Sequence, residues 1–436
     1  MSASAAPTIA LRTPIRHIGY NRPRAGAHST LGGFPGKTFG CLHQLPANAV
    51  GVQFELANLL TGSHTTYNAA YAISAGVNDW GIPVNGSGQP DNTLWVPITL
   101  GGSTAMVVPP ASSEVRPARV LTDIMPFTTP PLTRTDGGSG ILIFFRLCST
   151  DKGATVMYGF DPNGIFNGFR DMQDPTQHSQ TYGGGFALSN ANICVPGAFG
   201  LASSAVLIAS RYPVAVPYAV RPSLAGGCLT VMSIGDSILD GRGSASGPGN
   251  AMSYQDQGID GPGHQLATML DSPLRPAFHH NGAASGQSSS DFYANGAITL
   301  GLHMPDVLLL QVYSANDSFA ATLQAAWNAY RAGIQLASTA TRGGARVILV
   351  TSPPFSGPLS VRPASVWEAT RVAANGWVRA SGLPYVDCDL LVGTGDSDPG
   401  AYQQWATPDQ IHLGAEGAKV IAEAAAKILA SDYDLT

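Results

Sequence analysis

The chain has 436 residues, 44% of them hydrophobic, which is enough for a large core and more than one typical domain holds, so two domains are expected. Charged residues are only 12% and the formal net charge is -5, so no basic surface is available for a nucleic-acid backbone or an anionic membrane. No apolar run reaches the 18 or so residues of a membrane span, and Met1 to Thr13 lacks the basic and apolar regions of a secretory signal, so a soluble chain of open compartment is expected.

Residues 1 to about 222 carry short apolar runs such as Val50 to Leu56, Leu94 to Ile98 and Gly140 to Phe145. Turn clusters separate them, among them Asn85-Gly86-Ser87-Gly88 and Asp136 to Gly140. No long stretch shows helical periodicity, so the pattern predicts an all-β sandwich or jelly roll. Pro213, Pro217 and Pro222, followed by Gly226-Gly227, mark a junction. The expected domains are therefore 1-222 and 226-436.

From Cys228 onward strand-like and helical runs alternate, which implies βαβ units and a parallel sheet. Strands are predicted at Leu229 to Ile234, Ala277 to Asn281, Val307 to Val312, Arg346 to Thr351 and Pro384 to Asp389. Helices are predicted near Gly263 to Leu270, Ser289 to Leu300, Ala320 to Ala340 and Ala364 to Ala380. A last one, Ala415 to Ala430, has Val420, Ile421, Ala424 and Ile428 on one face. The fold class is α/β, a three-layer αβα sandwich. The five cysteines, Cys41, Cys148, Cys194, Cys228 and Cys388, have no C-x-x-C spacing and read as buried free thiols; in an exported protein Cys148 and Cys194 are the pair for a bridge.

Chemistry is concentrated after these strands. Gly235-Asp236-Ser237-Ile238 places a serine hydroxyl where the first parallel strand ends. About 170 residues later Asp409-Gln410-Ile411-His412 supplies a carboxylate and an imidazole three residues apart. Gly286 and Asn316 follow the second and third strands. Ligands of open parallel sheets bind outside the carboxyl ends of the strands, so all of these positions converge on one rim. Ser237, Asp409 and His412 are then nucleophile, orienting acid and base of an acyl-transfer triad. The backbone NH groups of Ser237 and Gly286 and the side-chain amide of Asn316 would form the oxyanion hole. Such chemistry needs no metal and no cofactor.

The order of the blocks resembles the GDSL/SGNH hydrolase family, whose name records the Ser, Gly, Asn and His of four blocks. The resemblance covers roughly residues 226 to 436. The first block reads Gly-Asp-Ser-Ile, and the third, usually Gly-x-Asn-Asp, is Ser314-Ala315-Asn316-Asp317. It implies a flavodoxin-like αβα domain and esterase or lipase activity. An appended β domain resembles carbohydrate esterases, which points to O-acetyl groups on carbohydrate, with Trp80, Trp95 or Trp405 stacking on sugar rings. The alternatives are a lipase, thioesterase or polyester hydrolase with a wider acyl pocket, or a polysaccharide-binding protein without turnover. The expected partner is a small-molecule or polysaccharide ester.

Competing motifs fail on order or spacing. Gly395-Asp396-Ser397 repeats the first block with no second and third block after it, and Gly76-Val77-Asn78-Asp79 precedes the nucleophile. Gly36-Lys37-Thr38 lacks the earlier glycine of a P-loop, and Gly241-Arg242-Gly243 lacks the third glycine of a dinucleotide loop. Adjacent His279 and His280 on a strand face opposite ways and make a poor chelate.

Overall fold

A computed structural model describes residues 29-30, 38-45, 47-58, 60-76, 83-89, 91-112, 117-127, 132-133, 135, 141-148, 155-159, 214-216, 219-224, 228-241, 261-272, 275, 277-283, 286-320, 322-355, 364-394 and 401-433. The first half is antiparallel. Its strands are β1 (Ser29–Thr30), β2 (Thr38–Leu45), β3 (Ala49–Asn58), β4 (Thr65–Ser74), β5 (Val96–Pro97) and β6 (Met106–Val108). They continue with β7 (Ala118–Leu121), β8 (Met125–Pro126), β9 (Ile141–Cys148), β10 (Thr155–Gly159), β11 (Val214–Val216) and β12 (Ala219–Leu224). One sheet runs β12-β3-β7 with β8 beside β3, another runs β2-β9-β4-β5 with β6 beside β4, and a third joins β1, β10 and β11.

Alternation builds the core between the first two sheets. Val52, Phe54 and Leu56 of β3 point inward at every second position, as do Tyr67, Ala69 and Tyr71 of β4 and Ile141, Ile143, Phe145 and Leu147 of β9. The opposite face of β9 is buried as well, where Phe144 meets the edge of Trp95 at 6.5 Å between ring centres. Trp95 is 1% exposed, so it is core and does not serve as a sugar platform. Trp80 lies outside the described residues.

The second half is a five-stranded parallel sheet in the order β14-β13-β15-β16-β17. Its strands are β13 (Leu229–Ile234), β14 (Ala277–Asn281), β15 (Val307–Gln311), β16 (Arg346–Val350) and β17 (Tyr385–Val386). The helices are α1 (Pro262–Leu270), α2 (Ser289–Leu302), α3 (Leu323–Arg342), α4 (Ala364–Arg379), α5 (Cys388–Val392) and α6 (Ala415–Tyr433). β13 and β15 are buried throughout, as fits strands covered on both faces. Leu266 and Leu270 of α1 and Ile421, Ala422, Ala425 and Leu429 of α6 cover Val231, Leu309 and Val350. On the other side Phe292 and Leu300 of α2, Leu336 and Ala340 of α3 and Val378 of α4 cover Met232, Leu308 and Leu349. This is a three-layer αβα sandwich of flavodoxin-like strand order.

Two expectations need correction. The fifth strand stops at Val386 because the Asp387 carboxylate caps α5, accepting from Leu390 N at 3.4 Å, and it also pairs with Arg379 at 2.6 Å. The inward stripe of α6 is Ala418, Ile421, Ala422, Ala425 and Leu429, whereas Val420, Ala424 and Ile428 lie toward its edge. Small alanines let the helix approach the sheet, so bulk alone misplaces the stripe. Among the cysteines Cys228 and Cys388 are free, and the Cys148 to Cys194 pair lies outside the described side chains.

A buried charge cluster joins the halves. Glu55 of β3 pairs with Arg119 of β7 at 3.3 Å and with His303, which follows α2. Arg119 also donates to Thr299 Oγ1 at 2.7 Å and Asn295 O at 3.1 Å, both in α2. Removing one member of a buried ionic group leaves the remaining charge without its partner. Arg119→Ala is therefore expected to lower the unfolding free energy in urea by about 3 to 5 kcal/mol. A loss below about 1 kcal/mol would show that water takes the place of the guanidinium.

Candidate active site

The chain leaves β13 through Gly235, where a Cβ would stand 2.6 Å from Gln311 Oε1 and 2.9 Å from Gln311 Cβ. Only glycine passes beneath that side chain. Asp236 then folds the backbone into a tight turn: its Oδ1 accepts from Ile238 N at 2.9 Å while its own NH donates to Gln311 Oε1 at 3.1 Å. Ser237 sits inside this turn and is 8% exposed. Asn281, at the end of β14, fastens the loop beyond it through Asp240, with Nδ2 3.1 Å from Oδ1.

Asp409 and His412 occupy a second turn, between a short helix at Gln404–Ala406 and α6. His412 Nδ1 lies 2.7 Å from Asp409 Oδ2, and the backbone NH groups of His412 and Ile411 donate to Oδ1 at 2.7 and 3.0 Å. A carboxylate at Nδ1 fixes the tautomer that carries its hydrogen there, leaving Nε2 as an acceptor. The turn is strained, since Gln410 takes a φ of 64°, and its NH is held by Thr407 Oγ1 at 2.8 Å. Tyr402 OH donates to Ile411 O at 2.9 Å and Gly414 N to Ala406 O at 2.8 Å, so the turn is anchored at both ends.

Gly286 has a φ of 79°, a left-handed conformation that favours glycine, and open space where a Cβ would be. The Asn316 side chain reaches toward the same loop. Its Nδ2 donates to Gln287 O at 3.0 Å and to Ser314 Oγ at 3.2 Å. Asp317, the next residue, accepts from Ser289 N at 3.0 Å and Ser314 N at 3.2 Å, and from the Ser289 hydroxyl. The carboxylate thereby binds the N-terminus of α2, where the helix dipole favours it.

Three carboxyl groups surround the rim, and their surroundings treat them differently. Burial pushes Asp236 up, against hydrogen bonds from Ser314, Ile238 and Gln311 and the opposing charge of His412. Burial also raises Asp317, opposed by Ser289 and Ser314 and reinforced by the charge of Asp236. Asp409 is different: burial would raise it, but the hydrogen bond and charge of His412 and the two backbone NH groups hold it below the usual carboxylate range.

The opposing charge of His412 is among the influences on the Asp236 carboxyl, next to Ser237. Among the described residues no hydrogen bond joins Ser237 Oγ to His412, whose Nδ1 is held by Asp409. Sequence reasoning overlooked Ser314, Gln287, Asp317 and the role of Asp236. The visible signal was Ser314 itself, a side chain where the third block usually has glycine. His279 and His280 do face opposite ways: His279 Nε2 lies 2.9 Å from Ser233 Oγ, and His280 packs against His303 with ring centres 5.0 Å apart. Asn78, Asp79 and the Gly395-Asp396-Ser397 triplet lie outside the described residues.

Residues 233–420 match the family described as GDSL-like Lipase/Acylhydrolase. No curated protein matches the chain at a significant level. Among solved structures, a putative acylhydrolase from Bacteroides fragilis is 17% identical, with 47% of this chain and 88% of that one covered at a TM-score of 0.35. A mutant of Axe2, an acetyl-xylooligosaccharide esterase from Geobacillus Stearmophilus, is 18% identical over 46% and 93% at a TM-score of 0.33. A family two carbohydrate esterase from Cellvibrio japonicus is 10% identical over 98% and 97% at 0.35.

The lowered Asp409 carboxyl makes a pH prediction. Its folded value lies below its unfolded one, so its stabilisation is complete above the usual carboxylate range and is lost as pH falls through the folded value. Asp409→Asn should therefore unfold more easily than the parent at pH 6, with the difference closing toward pH 2. Equal thermal stabilities at pH 6 would show that the carboxylate does not hold the turn.

Proposed function

We propose, from the premise that residues 233–420 form a domain of the GDSL-like lipase/acylhydrolase family and hence a carboxylic ester hydrolase, that its reaction runs through an acyl-enzyme on Ser237. The observation that supports this reading is the Asp409 carboxylate bonded to His412 Nδ1 at 2.7 Å. His412 Nε2 takes the Ser237 proton as Oγ attacks the ester carbonyl, and returns it to the leaving alcohol. Water then attacks the acyl-enzyme by the reverse proton path. The oxyanion is met by the NH groups of Ser237 and Gly286 and by the Asn316 amide. The chain divides at 222/226 into a β domain and this catalytic domain.

For substrate we favour short acyl groups, O-acetyl on carbohydrate first. Trp405 supports the sugar reading. It is 47% exposed on the short helix before the Asp409 to His412 turn, with its ring nitrogen held by Gln403 at 2.7 Å, and it offers an aromatic face to a pyranose.

Activity on p-nitrophenyl esters should peak at acetate and fall with chain length; a maximum at eight carbons or more would defeat the short-acyl reading in favour of a lipase-like one. Ser237→Ala should lose roughly 10⁴-fold or more in kcat, with a phosphonate label found on Ser237 of the parent. Polysaccharide binding without ester cleavage by the parent protein would favour a non-catalytic module. Trp405→Ala should raise KM for an acetylated oligosaccharide about tenfold and leave p-nitrophenyl acetate unchanged; equal effects on both substrates would remove the stacking role.

A further inference from the structure

We propose that Ser314 is a positioning residue that couples the turn carrying Ser237 to the Asn316 oxyanion donor, a role that rests on the acyl-enzyme reading above. Ser314 stands where the third block usually has glycine, so this chain has added a side chain at a point with 0% exposure. Its hydroxyl has four polar atoms around it: Asp236 Oδ2 at 2.6 Å, Gln287 O at 2.9 Å, Asn316 N at 3.0 Å and Asn316 Nδ2 at 3.2 Å.

A hydroxyl has one hydrogen and two lone pairs. The shortest contact is to a carboxylate oxygen, and a charge-assisted bond takes the hydrogen in preference to the neutral carbonyl of Gln287. Both lone pairs then accept from Asn316, one from its backbone and one from its side chain. Gln287 O accepts the second Asn316 amide hydrogen at 3.0 Å. The amide is thus clamped between Ser314 Oγ and a carbonyl adjoining Gly286.

The consequence lies in which bond yields. A developing oxyanion competes for the longer and weaker bond, the one to Ser314 Oγ, while the bond to Gln287 O keeps the amide plane fixed. On the other side, Asp236 Oδ1 shapes the Ser237 turn through Ile238 N, and Oδ2 is the oxygen that Ser314 holds. One hydroxyl therefore sets the distance between two of the three oxyanion donors. Glycine at this position has no side chain with which to do so.

The test is a double-mutant cycle in the full chain with p-nitrophenyl acetate, using Ser314→Ala, Asn316→Ala and the pair, with melting temperatures recorded for each. Ser314→Ala is expected to lower kcat about tenfold with KM within about twofold, and to cost less than about twofold more once Asn316 is alanine. An undiminished tenfold loss in the Asn316→Ala background, or a loss confined to KM, would reduce Ser314 to ordinary packing. Should Ser314→Ala fail to fold, Ser314→Cys keeps the size with a weaker donor; intermediate kcat supports the role and full kcat overturns it. Ser237→Ala separates the two levels. If it is inactive while the cycle is additive, the positioning role alone falls; if it stays active, the acyl-enzyme reading falls and takes this role with it.

Discussion

The position of β13 between two parallel neighbours is the constraint on which the site depends. Val231 is in register with His279 of β14 on one side and with Val307 of β15 on the other, so three carboxyl ends emerge side by side. Neighbouring strands are about 4.8 Å apart, so the loops that begin at Gly235, Gly282 and Val312 start within about 10 Å of one another. These loops carry Ser237, Gly286 and Asn316. Chain order reverses at this place, since β14 lies on one side of β13 and β15 on the other, and the reversal opens the crevice between them.

Gathering polar groups at that crevice creates a desolvation problem, and the solution is local. Asp236 and Asp317 are buried deeply enough that their carboxyls are pushed up, and each is answered by a backbone NH of its own loop and by a serine hydroxyl from another. The donors that satisfy these acids are therefore also the links that tie the loops together. Ser314 serves Asp236 through its side chain and Asp317 through its backbone NH. Asp409 keeps part of its surface in solvent and gains from the imidazole it orients, so its carboxyl is held low instead. Two of these acids thus tie loops together, and the third holds the His412 ring.

Much of this was legible in the residues because parallel strands leave strong traces. The runs at Leu229 and Val307 are apolar at almost every position, and the serine, glycine, asparagine and histidine each follow a strand end. The shorter fifth strand was not legible, because Asp387 reads as a strand residue until its contact with Arg379 and its cap on α5 are known. Nor was the inward face of α6, where alanines that score weakly as hydrophobic form the buried stripe. The Ser314 network was hidden for another reason. Its four partner atoms come from positions 236, 287 and 316, and no spacing rule connects a hydroxyl to donors and acceptors so scattered along the chain. Trp95 and Trp405 were equivalent as letters, and burial alone separates a core ring from an exposed one.

The β half is linked to the Asn316 loop through helix α2. Helix α2 begins at Ser289, whose NH and hydroxyl are held by Asp317, and ends next to His303, whose ring pairs with Glu55 of the sandwich. Arg119 grips the same helix midway, at Asn295 O and Thr299 Oγ1. A helix of 14 residues is a rod of about 21 Å, and one pinned along its length against a buried ion pair can neither rotate nor slide without breaking that pair. Its first residue adjoins Ser288 and Gln287, and Gln287 presents the carbonyl that anchors Asn316. Docking of the sandwich is thereby tied along a rigid element to the loop that holds the Asn316 amide.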